Sequence, residues 1–216
     1  MKTLFTAAAL AAFCLINAQQ TIGIKPFKSI SVGPDMNITM IKSNQNKVVI
    51  NDADDDNDEL QVVDNGESLT LNGDGTATVY YTEDLENITV APDSNFSCND
   101  EIKSNSLNLT AASDAIVTLA VNVKTLNTTA NSDAVVTLIG KAKRHVANYS
   151  SDAVLNAKEL ETQDTIITLS SDAGAAITVK NTVDATVNSD AALTIYGNPG
   201  KVKQSKGEDA EITIVK

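Results

Sequence analysis

From Val117 to Leu119 an apolar, a polar and an apolar position follow one another, and the same alternation returns about every 19 residues down the second half of the sequence. A fixed tripeptide anchors each copy: Ser113-Asp114-Ala115, Ser132-Asp133-Ala134, Ser151-Asp152-Ala153, Ser171-Asp172-Ala173 and Ser189-Asp190-Ala191, with Glu208-Asp209-Ala210 as a degenerate sixth. Three residues after each Asp stand Val117, Val136, Leu155, Ala175, Leu193 and Ile212. Five after it stand Leu119, Leu138, Ala157, Ile177, Ile195 and Ile214, again apolar throughout. The residue between these two columns is mostly polar, as in Thr118, Thr137, Asn156, Thr194 and Thr213. A period of two with one apolar side is the mark of a strand buried on one face.

The phase continues upstream. Seven residues before each Asp lie Leu107, Leu126, His145, Thr165, Val183 and Val202, an inward column; four before lie Thr110, Thr129, Asn148, Thr168, Thr186 and Ser205, an outward one. On this phase the Asp faces out, and its neighbours Ser and Ala, both small, face in at a tight corner. Going back another 19 residues from Asp114 reaches Asn95, which reads as a worn copy of the corner.

Helical periodicity is absent, and Thr, Val, Asn and Ser dominate where helix formers would be wanted. A repeat of this length without helices is a solenoid rung. The expected fold is therefore all-β, a right-handed parallel β-helix of about 19 residues per rung, its hand taken from the general chirality of parallel crossovers. Dividing the chain by the repeat suggests roughly ten rungs at about 4.8 Å each. Residues 94–216 would form the regular rungs. Residues 24–93 are less regular, with strands around Gly33-Pro34 and Asn65-Gly66, and would cap the first rung, since a solenoid must hide its open end.

Residues 1–18, MKTLFTAAALAAFCLINA, combine Lys2, an apolar run from Leu4 to Ile16 and a small residue before Gln19, the layout of a secretory signal peptide. The run is short for a membrane span, and no later segment is more apolar. Residues 19–216 then form one exported domain, destined for periplasm, cell surface or medium. A formal net charge of -12 opposes binding to nucleic acid or an anionic membrane. Once the leader is removed, Cys98 is the single cysteine and cannot form an internal disulfide; a small residue in a buried strand is its expected role.

The opening FKSISVGPDMNITMI, the rungs LTAASDAIVTL and LNTTANSDAVVTLIGKAK, VDATVNSDAALTIYGNP and the closing EDAEITIV resemble the head GIN domain family of putative auto-transporter adhesins, exported proteins common in Bacteroidota. The resemblance spans about residues 27–216 and is most specific at Tyr196-Gly197-Asn198-Pro199. It implies surface exposure and binding, without naming a ligand. Members of the family usually carry a glycine at the corner where this chain has Asp. Asp shares glycine's tolerance of left-handed backbone and adds a charge.

Two roles compete for the corner residues. In the first, each Asp accepts a hydrogen bond from a backbone N–H at the bend, as in an Asx turn. In the second, Asp114, Asp133, Asp152, Asp172, Asp190 and Asp209 form a row of carboxylates bridged by Ca²⁺; no other cofactor is expected. The stretch NDADDDNDEL at residues 51–60 spaces Asp52, Asp54 and Asp56 like the start of a calcium loop, but Asn57 replaces the turn glycine and Val63 the bidentate acid, so a solvated acidic loop is expected. Parallel β-helices also include polysaccharide lyases and hydrolases. Against an enzyme stand one arginine (Arg144), one histidine (His145), no tryptophan and aspartates that recur rather than converge. His145, in an inward column, is expected to be a core residue. The outward Thr and Asn columns offer a flat polar face suited to a repeating ligand such as a polysaccharide or a crystalline surface, a cell-surface ligand being the expected partner, although exposed strands favour such residues in any case.

Overall fold

The computed structural model describes residues 20–52 and 60–215; residues 1–18, expected to be a signal peptide, and most of the acidic stretch lie outside the described residues. Among the described residues it is 72% strand without a helix, wound as a β-solenoid of about seven turns of about 19 residues. In chain order the strands are β1 Gln20–Gly23, β2 Ser29–Val32, β3 Met36–Lys42, β4 Lys47–Asp52, β5 Gln61–Asp64, β6 Ser68–Asn72, β7 Gly75–Tyr81 and β8 Asn87–Val90. Then follow β9 Asn95–Ala111, β10 Ile116–Asn131, β11 Val135–Ser150, β12 Val154–Ser170, β13 Gly174–Val187, β14 Ala192–Tyr196, β15 Lys201–Lys206 and β16 Glu211–Ile214.

From β9 onward every pairing is parallel, and it runs in register except for shifts between Leu119 and Val121 in the β9–β10 pair, Thr137 and Gly140 in the β11–β12 pair, and Ala157 and Asp164 in the β12–β13 pair. Val117 sits beside Val136, which sits beside Leu155, then Ala175 and Leu193, so each apolar column of the sequence becomes a stack inside the coil. Along β10 the buried positions are Val117, Leu119, Val121 and Val123, then Leu126, Thr128 and Ala130. The change of phase after Val123 marks a second bend, opposite the Ser-Asp-Ala corner, where the chain passes from one face of the coil to the other. Leu, Ile and Val stacks fill the space between the faces and supply the main stabilisation.

The N-terminal part differs from a simple cap. The β2–β3 and β6–β7 segments are rungs in their own right, and they stack out of chain order: β3 lies between β7 and β9, and β2 between β6 and β8. Among the described residues only β1, β4 and β5 are antiparallel additions, covering the end of the coil. They consume chain without adding turns, so the coil has fewer turns than chain length alone suggests.

Candidate functional site

The corner is held by its backbone. In Asn131-Ser132-Asp133-Ala134 both central residues are left-handed, at φ 50° and 66°, and Ala134 N–H donates to the Asn131 carbonyl at 3.4 Å, the pattern of a type I′ turn. The corners at Asp152, Asp172 and Asp190 repeat it, with Ser and Asp both at positive φ. Successive corners are tied by Asp133 N–H donating to Ser151 O and Asp152 N–H to Ser171 O, each at 3.0 Å. The expected inward Ser is corrected here: Ser151, Ser171 and Ser189 are exposed and only the Ala is buried, because two consecutive left-handed residues break the strand's alternation. Among the described residues none of the corner carboxylates accepts a hydrogen bond or pairs with a cation, so the anticipated Asx-type bond is replaced by a purely conformational role.

Register extends the column beyond the six aspartates found by periodicity. Asp93 N–H donates to Ser113 O at 3.1 Å, as Asp114 N–H does to Ser132 O at 2.9 Å, so Asp93 is the preceding corner. Asn95, the expected copy, lies two residues further on, in β9. Asp35 has the same left-handed backbone, φ 59°, and Asn37 pairs with Asn95, which places Asp35 beside Asp93. Met36 pairs with Gly75, which puts Asp74 beside Asp35. The column thus runs Asp74, Asp35, Asp93, Asp114, Asp133, Asp152, Asp172, Asp190, Asp209. Its earlier members escape a search at 19 residues because insertions separate them. The signal that finds them is the alternation after each one, Ile38 and Met40 or Phe96 and Cys98, at the same offsets as Val117 and Leu119. At Asp35, Asp93 and Asp114 only the Asp is left-handed, as in a type II turn, and Pro34 and Pro92 occupy the preceding position that such a turn favours.

No group of three or more His, Cys, Asp or Glu side chains with metal-binding geometry occurs among the described residues. Every carboxylate of the column except the half-buried Asp74 is exposed, and each between Asp74 and Asp209 has a like charge one rung away on either side.

His145 is fully buried, with Nε2 2.9 Å from the Thr128 hydroxyl and Nδ1 without a partner. Burial lowers its pKa to about 4, so it is a neutral core residue at ordinary pH. The Tyr149 hydroxyl is also buried; the Thr128 side chain lies toward it, but no hydrogen bond is completed. Cys98 is buried against the Tyr81 hydroxyl at 3.5 Å, and burial raises its pKa, which makes the thiol unreactive.

The outward asparagines do what a repeated strand position allows. Asn127 Nδ2 donates to Asn108 Oδ1 at 2.8 Å, Asn108 Nδ2 to Asn87 Oδ1 at 2.9 Å, and Asn87 Nδ2 to Ser29 Oγ at 3.0 Å, forming an amide ladder. Thr89, Thr110, Thr129, Asn148, Thr168 and Thr186 stand side by side on the same face. This gives a flat polar surface with one side chain per rung.

An open concavity of about 800 Å³ lies at the second bend. It contains two acids, Asp84 and Glu161, but these do not converge: β9, β10 and β11 lie between the rungs that carry them, and each is bound to a lysine, Lys42 at 3.5 Å and Lys180 at 3.3 Å. A pair of free carboxylates set for acid–base work on a glycosidic bond is therefore not present there.

No curated protein matches the sequence. Among solved structures, a putative adhesin of Bacteroides fragilis superposes with a TM-score of 0.81 at 16% identity, covering 91% of this chain and 96% of that one. A putative adhesin of Parabacteroides merdae gives 0.73 at 16%, covering 92% and 96%. A putative lipid binding protein of Parabacteroides distasonis gives 0.72 at 15%, covering 92% and 96%. At these identities the likeness is one of fold. Residues 26–199 match the family described as "Putative auto-transporter adhesin, head GIN domain", and the chain belongs to that family.

Proposed function

We propose that this protein is an exported, non-enzymatic β-helix that acts by adhesin-like binding, presenting a surface with one repeated side chain per rung to a polysaccharide or other cell-surface polymer. The observation that carries this reading is the arrangement of its acids: they recur once per rung along an outer corner instead of meeting in a cleft. Family membership and the signal-like leader support export and binding. The long row of Thr and Asn side chains offers the repetitive surface that a polymer of similar repeat can match. The aspartates serve the turns in this reading, and Ca²⁺ is not required.

The test is retention of the purified protein on a panel of insoluble bacterial and plant polysaccharides, with release of reducing ends and of unsaturated sugars followed in the same tubes. Retention without product is expected. Product formation would make the protein a polysaccharide lyase or hydrolase, and failure to bind any polymer or any intact cell would remove the adhesin-like role.

A further inference from the structure

We propose that the concavity at the second bend is a binding groove for an acidic polysaccharide carrying about one carboxylate per sugar. This rests on the adhesin-like reading and names the ligand chemistry of one surface. The chain has 28 acidic and 16 basic residues, yet the groove is lined by Lys103, Lys124, Lys141 and Lys143. Register sets them in two adjacent columns. Lys103, Asn122 and Lys141 stand on successive rungs, with Glu161 next in line; two residues further on, Lys124 and Lys143 fall at matching places between the pairs Val123/Ala142 and Thr125/Arg144, and Gln163 follows between Thr162 and Asp164. Val123 and Ala142, both buried, form the floor between the columns.

The charge balance inside the groove is what points to a ligand. Lys103 has Glu101 at 3.2 Å, but Lys124, Lys141 and Lys143 make no ion pair among the described residues. The two acids of the groove are already matched by Lys42 and Lys180, which lie outside its lining. Three cations on two adjacent rungs of a strongly acidic protein thus make no ion pair among the described residues; Lys124 and Lys143 are like charges one rung apart, and Glu161, in register beside Lys141, is bound by Lys180 instead. A rung rises by about 4.8 Å, close to the length of one sugar in an extended glycan, so a uronate polymer lying along the column Asn105, Lys124, Lys143 and Gln163 meets an ammonium or an amide at each step. The lining has no aromatic side chain. Stacking of neutral sugars or of nucleobases is therefore unsupported, and charge is the groove's means of capture. The net charge of -12 further disfavours the denser charge of a nucleic acid.

The experiment measures binding of the full chain to polygalacturonate, to dextran and to a single-stranded oligonucleotide, at low and at physiological salt, for the wild type, Lys124→Gln/Lys143→Gln, and Lys206→Gln as a control outside the groove. Each protein's thermal melt confirms folding. The expected result is salt-sensitive binding of polygalacturonate, weakened at least tenfold in the double variant and unchanged in the control. Binding that is equal in all three proteins, or tighter for the oligonucleotide, overturns the assignment. Binding of dextran but not polygalacturonate also overturns it while leaving the adhesin-like reading intact.

Discussion

Gly140 packs its α-carbon against the carbonyl of Val121 on the neighbouring rung, so closely that a Cβ at residue 140 would stand 2.1 Å from that oxygen. Its backbone is left-handed, at φ 112°, and Gly197, seven residues after its own corner Asp just as Gly140 is after Asp133, repeats the relationship: φ 94°, with Val179 O at 2.5 Å from an added Cβ. Backbone, not a flexible side chain, occupies the space. The Tyr196-Gly197-Asn198-Pro199 stretch is thus a place where two rungs approach through a glycine.

Gly140→Ala combines left-handed strain of about 1–2 kcal/mol with overpacking of about 1–3 kcal/mol. The expected loss of about 2–5 kcal/mol lowers Tm by roughly 5–15 °C in a domain of this size. Gly174→Ala is the control, because nothing lies within 4 Å of its added Cβ; it should leave Tm unchanged or raise it slightly. Equal behaviour of the two variants in a thermal melt would contradict the close approach.

At the corners, residue type should matter through φ rather than through charge. Asp152→Asn and Asp152→Gly keep left-handed tolerance and should be near neutral, whereas Asp152→Val should cost about 1–2 kcal/mol. The same melts, run with EDTA and with millimolar Ca²⁺, should coincide. A bridging ion at about a hundred times Kd would add about 2.7 kcal/mol, and a shift of that size lost in Asp133→Asn/Asp152→Asn would turn the column into a metal site.

His145 makes stability depend on acid. Its folded pKa is lowered to about 4 from 6.5, so the unfolded chain takes up the proton first. The stabilisation is complete above about pH 6.5 and drains away as pH falls toward 4, by about 3 kcal/mol in all. The residues in register with it are Leu126 and Thr165, which bring no charge to compensate. Urea denaturation from pH 7.5 to 4 should show this slope in the wild type, and His145→Leu should flatten it.

Tyr149→Phe should be neutral or stabilising by up to about 1 kcal/mol, since it removes a buried hydroxyl that completes no hydrogen bond. A clear destabilisation in chemical denaturation would show that the hydroxyl has a partner, with Thr128 the nearest candidate.

The regular rungs were legible because each side chain's direction follows from its own place in a period of two, and stacking repeats that local rule. The inward columns, the bend at Ser-Asp-Ala and the buried His145 and Cys98 could all be located this way. The Asp corners at residues 35, 74 and 93 could not, because insertions hide their spacing and only pairing restores it. The inward placement expected for Ser failed for a related reason: alternation holds only while the backbone stays extended, and two left-handed residues end it.

By itself the sequence determined the strand, its period and its buried side, since these are set by neighbours a few residues apart. Tertiary structure decided which rung lies next to which, and therefore everything that depends on lateral contact. It threads β2–β3 between later segments, assembles one aspartate column from unevenly spaced residues, and gathers Lys103, Lys124, Lys141 and Lys143 at one bend. Lateral order is chosen by pairing energy summed over whole strands and by the need to cover the open end, and neither is written in any short window of the chain.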